Sequence, residues 1–205
     1  FRPNYLSFAG TYQCNLACPH CCVPIEWPDY LAIPTAVRFL EQARAAGIEI
    51  LGFTGGEPFM NPELPAMLDD VLSRGFKAIV LTNAMKPMHK MKASLLALLQ
   101  KHGRNLTIRV SVDHYGRDLH EEERGARSWK PTLDGLKWLC DSGFDVHVAG
   151  RRFSTETEED VRAGYGRLFD GLGVSLDAWD PGTLVLFPEM DPTVDVPEIT
   201  TSCWG

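Results

Sequence analysis

Cys14-Asn15-Leu16-Ala17-Cys18-Pro19-His20-Cys21 sets three thiols four and then three residues apart, directly behind the apolar run of residues 5–12. On one short connector, three sulfurs so spaced can turn toward a single point. Thiolates are the ligands of iron-sulfur clusters, and a four-iron cluster held by three of them keeps one iron without a protein ligand. Zinc accepts the same donors, so a structural zinc site using Cys14, Cys18, Cys21 or Cys22 with His20 is the competing reading. Adjacent Cys21 and Cys22 do not easily face one tetrahedral centre, and no second cysteine pair follows. Cys22 is therefore read as a bystander packed under the loop, or as redox-active if exposed.

Working outward, short β-rich runs at residues 5–12, 48–54, 77–81, 106–112, 144–149 and 183–187 alternate with helical stretches. Leu64, Met67, Leu68, Val71 and Leu72 recur at helical spacing, as do Met88, Met91, Leu95 and Leu98, and Val161, Tyr165, Leu168, Phe169 and Leu172. Thr155-Glu-Thr-Glu158 has the form of a capping box ahead of the last of these. Six βα units in a row predict an α/β fold, a parallel sheet with helices packed outside, curled into a partial (β/α)6 TIM-like barrel. Continuous apolar strands suit a sheet covered on both faces. Ligands of such sheets collect at the carboxyl ends of the strands, where the motifs of four strands fall.

Behind the second strand stands Thr54-Gly55-Gly56-Glu57-Pro58, behind the third Thr82-Asn83-Ala84, and on the fourth Arg109-Val-Ser111-Val-Asp113-His114. Alternation places Arg109, Ser111 and Asp113 on one strand face. A C-x3-C-x2-C loop after strand one, paired with the Gly-Gly-Glu-Pro run after strand two, resembles the radical S-adenosylmethionine (AdoMet) enzymes. The resemblance covers roughly residues 5–187 and is closest in motif style to members with a C-terminal cysteine-rich extension.

That resemblance implies Cys14, Cys18 and Cys21 as ligands of a [4Fe-4S] cluster whose open iron is chelated by the amine and carboxylate of AdoMet. It implies an enzyme in which reductive cleavage of AdoMet gives a 5'-deoxyadenosyl radical that takes hydrogen from a peptide or small-molecule substrate. His20 stands where the family has an aromatic residue beside the adenine and is assigned to stacking. Gly55 and Gly56 would bring backbone close to the methionine moiety, Glu57 would add a nearby negative charge, and Asn83 belongs to the Thr-Asn-Gly signature, with Ala84 as the departure. Ser111 would help hold AdoMet, and Asp113 would serve the ribose or the substrate, with His114 in place of the family's glycine. His120-x3-Arg124-Gly125 resembles a segment of peptide-modifying relatives and reads equally as a charged surface loop. Arg151 and Arg152 are candidates for pairing a carboxylate, Arg152 being carried forward.

A hydrophobic share of 44% and a charged share of 23% are those of an ordinary globular protein, and no apolar run approaches the ~20 residues of a membrane span. Nothing near Phe1 resembles a signal peptide, so a cytoplasmic, reducing setting is expected, and the opening on Phe1 suits a piece of a longer chain. The net charge of -7 makes nucleic acid an unlikely partner. Lys86, Lys90, Lys92, Lys101 and Arg104 form a local basic exception, a solvated face or a dock for an acidic electron donor of the flavodoxin or ferredoxin type. Cys140 reads as a small buried hydrophobe. Residues 1–190 are expected to form the core domain and 191–205 an extended tail, with Cys203 either a free thiol or the first ligand of an auxiliary-cluster extension. Two other classes compete: a non-catalytic zinc or iron-sulfur structural module, and a closed-shell methyltransferase, whose glycine-rich loop after strand one is replaced here by cysteines.

Overall fold

A computed structural model describes residues 4–153 and 155–189. The expected tail and Cys203 lie outside the described residues. In chain order the elements are β1 (Tyr5–Thr11), α1 (Ile33–Ala45), β2 (Ile50–Gly55), α2 (Leu64–Ser73), β3 (Lys77–Thr82), α3 (Lys86–Lys90), α4 (Lys92–His102), β4 (Leu106–Ser111), α5 (Arg117–Arg124), α6 (Trp129–Asp141), β5 (Asp145–Arg152), α7 (Glu158–Leu172) and β6 (Leu184–Pro188). All six strands are parallel and lie in the order β1-β2-β3-β4-β5-β6. Each strand therefore pairs with its sequence neighbour through a crossover, as in a (β/α) barrel opened between β1 and β6.

One face of this sheet is sealed. Leu51 and Phe53 of β2, Val80 of β3, Ile108 and Val110 of β4 and Val148 of β5 are fully buried in one core with Leu64, Leu68, Leu95, Leu136 and Val161 of the helices. The other face differs from the expectation of a sheet covered on both sides. Along β4 burial alternates strictly, Leu106, Ile108 and Val110 inside and Thr107, Arg109 and Ser111 half-buried. Six strands do not close the barrel, so its inner wall keeps polar residues and partial exposure.

β2 and β5 begin later than their apolar runs suggest, for one shared reason. Gly47, Gly75 and Gly143 follow α1, α2 and α6 with φ of 81°, 86° and 84°, and the next residue donates its amide back to the last turn: Ile48 to Ala43, Phe76 to Val71 and Phe144 to Leu139. This is the Schellman stop, in which a left-handed glycine is followed by a hydrophobe that packs against the helix. Ile48 and Phe144 look like strand starts in the sequence but are the buried ends of helix caps.

Three further differences are local. The stripe from Met88 to Leu98 is carried by two helices, because Met91 at φ -105° and ψ 12° ends α3 and opens α4. The cap of α7 is Thr157, whose hydroxyl accepts from the Asp160 amide, two residues beyond the expected Thr155. The His120 to Arg124 segment is helical, not a loop. Cys140 lies half-buried in α6, and burial pushes its thiol up to about 11.

The helix stops give a paired expectation. Gly143→Ala forces a side chain into the left-handed region and lowers stability by about 1–2 kcal/mol. Gly171 lies within α7 with open space around it, so Gly171→Ala is neutral or raises stability by up to about 1 kcal/mol. Denaturant melts of both variants check this, and equal shifts would contradict the assignment.

Candidate functional site

The cysteine loop leaves β1 over residues 12–32 and is pinned at both ends. Asn61, fully buried, donates to the carbonyls of Gly10 (3.0 Å) and Leu31 (2.9 Å). The Tyr12 amide donates to Asp29 (3.2 Å), Leu31 donates back to Gly10 (2.9 Å), and the Thr11 hydroxyl donates to the Asp29 carbonyl (2.9 Å). Within the loop the Cys21 amide meets the Cys18 carbonyl at 3.0 Å and the Leu16 amide meets the Cys14 sulfur at 3.4 Å. Burial pushes the Cys14 and Cys18 thiols up, so that ionising them calls for a compensating cation. Arg124 supplies part of that at Cys18.

Gly55 and Gly56 meet this loop backbone to backbone. Gly56 donates to the Thr11 carbonyl at 2.7 Å and Glu57 to that of Gln13 at 2.8 Å. Gly55 has φ 120°, and a Cβ on it would overlap the Thr11 carbonyl; one on Gly56 would overlap that of Gln13. The glycines are thus required first by the protein's own chain. Glu57 lines the cavity and is also committed to the protein's own chain. Its buried carboxylate accepts from Thr82 Oγ1 (2.7 Å), the Asn83 amide (2.8 Å) and the Phe59 amide (3.2 Å), tying the turn after β2 to the end of β3. Burial raises its pKa, against the lowering effect of those bonds.

Asn83 continues the chain of ties: its side chain donates to Asn15 Oδ1 at 2.9 Å and accepts from the Met85 amide at 3.0 Å. Ala84 keeps a positive φ of 58° even though the family's glycine is missing. Above β4, Asp113 is buried and bound by Arg124 of α5 through two contacts, Nε at 2.7 Å and Nη2 at 3.2 Å. Arg151 stands 3.8 Å from Asp113 and 3.5 Å from Glu123, and His20 Nδ1 lies 2.7 Å from Glu123. Burial, then the charge of Arg151, holds the His20 imidazole below its ordinary value. His114 is part of the scaffold, accepting from the Gly116 amide at 2.8 Å and lying 3.1 Å from Glu156.

Cys14, Cys18, Cys21, His20, Gly55, Gly56, Glu57, Asn83 and Ser111 line one cavity of about 170 Å³. Two expected residues do not. Asp113 lies behind Arg124, and Arg152 is exposed, while its neighbour Arg151 turns inward. Arg124, absent from the candidate set, lines the cavity; the His-x3-Arg-Gly signal pointed to it but did not separate a site helix from a charged loop. Larger cavities of about 580 Å³ beside Trp129 and about 650 Å³ beside Phe76 hold no thiol, so volume does not mark the site.

Tetrahedral zinc with bonds of about 2.3 Å draws its sulfurs to within about 4 Å of one another. Among the described residues the three thiols do not all fall within 4.8 Å of one another, and His20 is engaged by Glu123. A polynuclear cluster takes a separate iron for each thiolate and does not call for the three sulfurs to converge on one ion. His20, Asp113 and Glu123 do lie that close together, but two guanidinium groups already contact the carboxylates.

Comparison with known proteins agrees with this geometry. The family model for the radical SAM superfamily matches residues 9–165. The subtilosin biosynthesis protein AlbA of Bacillus subtilis, named as antilisterial bacteriocin machinery, is 30% identical over 151 residues, 72% of this chain and 33% of AlbA. A GTP 3',8-cyclase of Synechococcus is 34% identical over 93 residues, 40% of this chain and 27% of the cyclase. Streptococcus suis SuiB bound to S-adenosylmethionine superposes with a TM-score of 0.71 at 18% identity, over 93% of this chain and 42% of SuiB; another SuiB structure holds the precursor peptide SuiA. The chain spans about a third of the length of the sequence relatives it matches.

One buried group gives a pH expectation. His120 is fully buried in α5, neither ring nitrogen has a hydrogen-bond partner among the described residues, and burial lowers its pKa to about 4. Between about pH 6.5 and 4 the unfolded chain binds this proton and the folded one does not, so its contribution is complete above pH 6.5 and is lost as pH falls. The loss amounts to about 3 kcal/mol. His120→Leu is expected to flatten the acid limb of stability by about that amount, read by denaturant melts of the metal-free chain from pH 7 to 4; parallel profiles would contradict it.

Proposed function

The chain belongs to the radical SAM superfamily, and on that premise we propose that it is the core of an enzyme in which Cys14, Cys18 and Cys21 hold a [4Fe-4S] cluster with S-adenosylmethionine at its open iron. When bound, that pair supplies one-electron cleavage of the sulfonium carbon-sulfur bond and a carbon radical that takes hydrogen from a substrate. The observation that carries the reading is the shared cavity, in which three thiols face the Gly55–Gly56 backbone, Ser111 and Arg124.

Each residue has a physical task in this scheme. The pinned loop holds the thiols in place before the cofactor arrives. Gly55 and Gly56 leave room for a ligand's polar head to approach main chain, and Asn83 fixes the loop's Asn15 beside it. Arg124, oriented by buried Asp113, offers a guanidinium to a carboxylate. Ser111 adds a hydroxyl at the cavity wall. His20, held by Glu123, offers the flat face assigned to adenine stacking.

The substrate proposed is a peptide, following the precursor peptide named in the SuiB complex, with a small molecule as the broader class. The electron donor proposed is an acidic flavodoxin- or ferredoxin-type protein in a reducing cytoplasm. Lys101 is engaged by Asp69 and Lys92 lies over Trp138. Lys86 and Lys90, on α3 just beyond Asn83 and Met85, remain exposed for docking. Among the described residues no helix is long and apolar enough to cross a membrane.

Anaerobic reconstitution is expected to give about four irons and four sulfides per chain, and incubation with S-adenosylmethionine and dithionite to give 5'-deoxyadenosine. Cys14→Ala, Cys18→Ala or Cys21→Ala should abolish both, and Cys22→Ala neither. A colourless zinc protein, or no 5'-deoxyadenosine from an intact cluster with candidate peptides present, would overturn the reading.

A further inference from the structure

Behind the cofactor cavity, the inner wall carries a charge that none of the preceding chemistry uses. Arg109 on β4 is in register with Leu81 of β3 on one side and His147 of β5 on the other. Leu81 and, two residues further along β4, Ser111 both line the cavity. Two residues of strand span about 6.6 Å, so Arg109 and His147 stand one step deeper in the open barrel than Ser111.

Both side chains are half-buried, and each has a polar atom without a partner. Arg109 Nε and His147 Nδ1 are shielded from solvent and meet no hydrogen-bond partner among the described residues. The nearest acid on the layer below is already committed: Asp145 accepts from Thr107 Oγ1 at 2.6 Å and lies 3.7 Å from His147 Nε2. Guanidinium is a donor with no acceptor capacity, and leaving its shielded Nε–H unpaired is unfavourable unless a ligand brings the acceptor.

The geometry points to Arg109 and His147 as a specificity-determining subsite for a single carboxylate of the substrate. One guanidinium fork beside one imidazole matches one planar, singly charged group. A phosphate chain would bring more negative charge than one guanidinium offsets, and Asp145 beside the pair disfavours it further. The carboxylate can belong to an acidic side chain of a peptide or to a small organic acid. His147 also lines a cavity of about 490 Å³ with Arg104, Asp145 and Thr183; in this proposal the remainder of the ligand lies toward Ser111, two residues along β4. This rests on the reading of that cavity as the cofactor site.

Calorimetric titration of the reconstituted holoenzyme separates the possibilities, using N-acetyl-glutamate N-methylamide, its glutamine isostere, glutarate and inorganic phosphate as probes. The glutamate probe is expected to bind roughly 10- to 100-fold more tightly than the glutamine probe. Arg109→Gln should erase that preference and Arg109→Lys should keep part of it, with melting curves reporting whether each variant is folded. A glutamate probe tighter than glutarate marks a peptide acid, and equal affinities mark a free acid. No binding to the wild type, equal affinity for the two amide probes, tighter phosphate binding, or a preference that survives in folded Arg109→Gln would overturn the subsite. The 5'-deoxyadenosine assay on the wild type, run without these probes, reports separately on the cofactor reading.

Discussion

Everything above the strand ends depends on main chain touching main chain where residues 55–57 meet residues 11–13. Two amide-to-carbonyl bonds of 2.7 and 2.8 Å join the turns after β1 and β2, and no side chain fits between them at Gly55 or Gly56. The cysteine loop therefore starts from a fixed point and not from a free strand end. Glu57 extends the constraint sideways: three donors converge on its buried carboxylate, two of them from β3 and its turn. Asn83 then returns the tie to the loop through Asn15. Removing that carboxylate would leave three polar groups without an acceptor, each costing about 1–3 kcal/mol.

Charge around the cavity is arranged in pairs. Asp113 and Glu123 face Arg124 and Arg151, with His20 between them. A buried ion pair gives little net stability but is costly to break from one side, so its value here is orientation. Arg124 is held toward the thiols by a partner that lies out of the cavity. Three thiolates and an anionic ligand are tolerated more readily next to a guanidinium than in an uncharged cleft. Asp113 is thus engaged by Arg124, and in the proposed function it would act through that guanidinium.

Legibility in the sequence followed the range of the interaction. The six parallel strands and the stripe from Leu64 to Leu72 come from local periodicity and were readable. So was the gathering of motif residues at one sheet end, since topology alone sends them there. Ile48 and Phe144 misled because a helix-stop hydrophobe and a strand residue look the same without knowing where the glycine's φ lies. The engagement of Glu57 with Thr82 and of Asp113 with Arg124 spans 25 and 11 residues, and no spacing rule announces such partners. Arg151 and Arg152 differ by one position and so by one face of β5, which the sequence left undecided because both flank the strand end.

Ala84 shows how a departure from a motif is absorbed. A left-handed alanine costs about 1–2 kcal/mol relative to glycine's freedom, yet the turn keeps φ 58°. The Ala84 amide donates to Thr82 Oγ1 at 3.0 Å, and Thr132 Oγ1 reaches the Asn83 carbonyl at 3.2 Å, so both sides of the turn are bonded. Gly135 of α6 completes the accommodation. A Cβ there would overlap the Ala84 carbonyl, so the helix can approach this turn because the side chain missing from α6 leaves the space. The fully buried Ala84 methyl gains packing that glycine would lack. The strain sits one residue from Asn83, the side chain that grips the cysteine loop, and the surrounding bonds, not the local preference of the alanine, decide the shape of the turn.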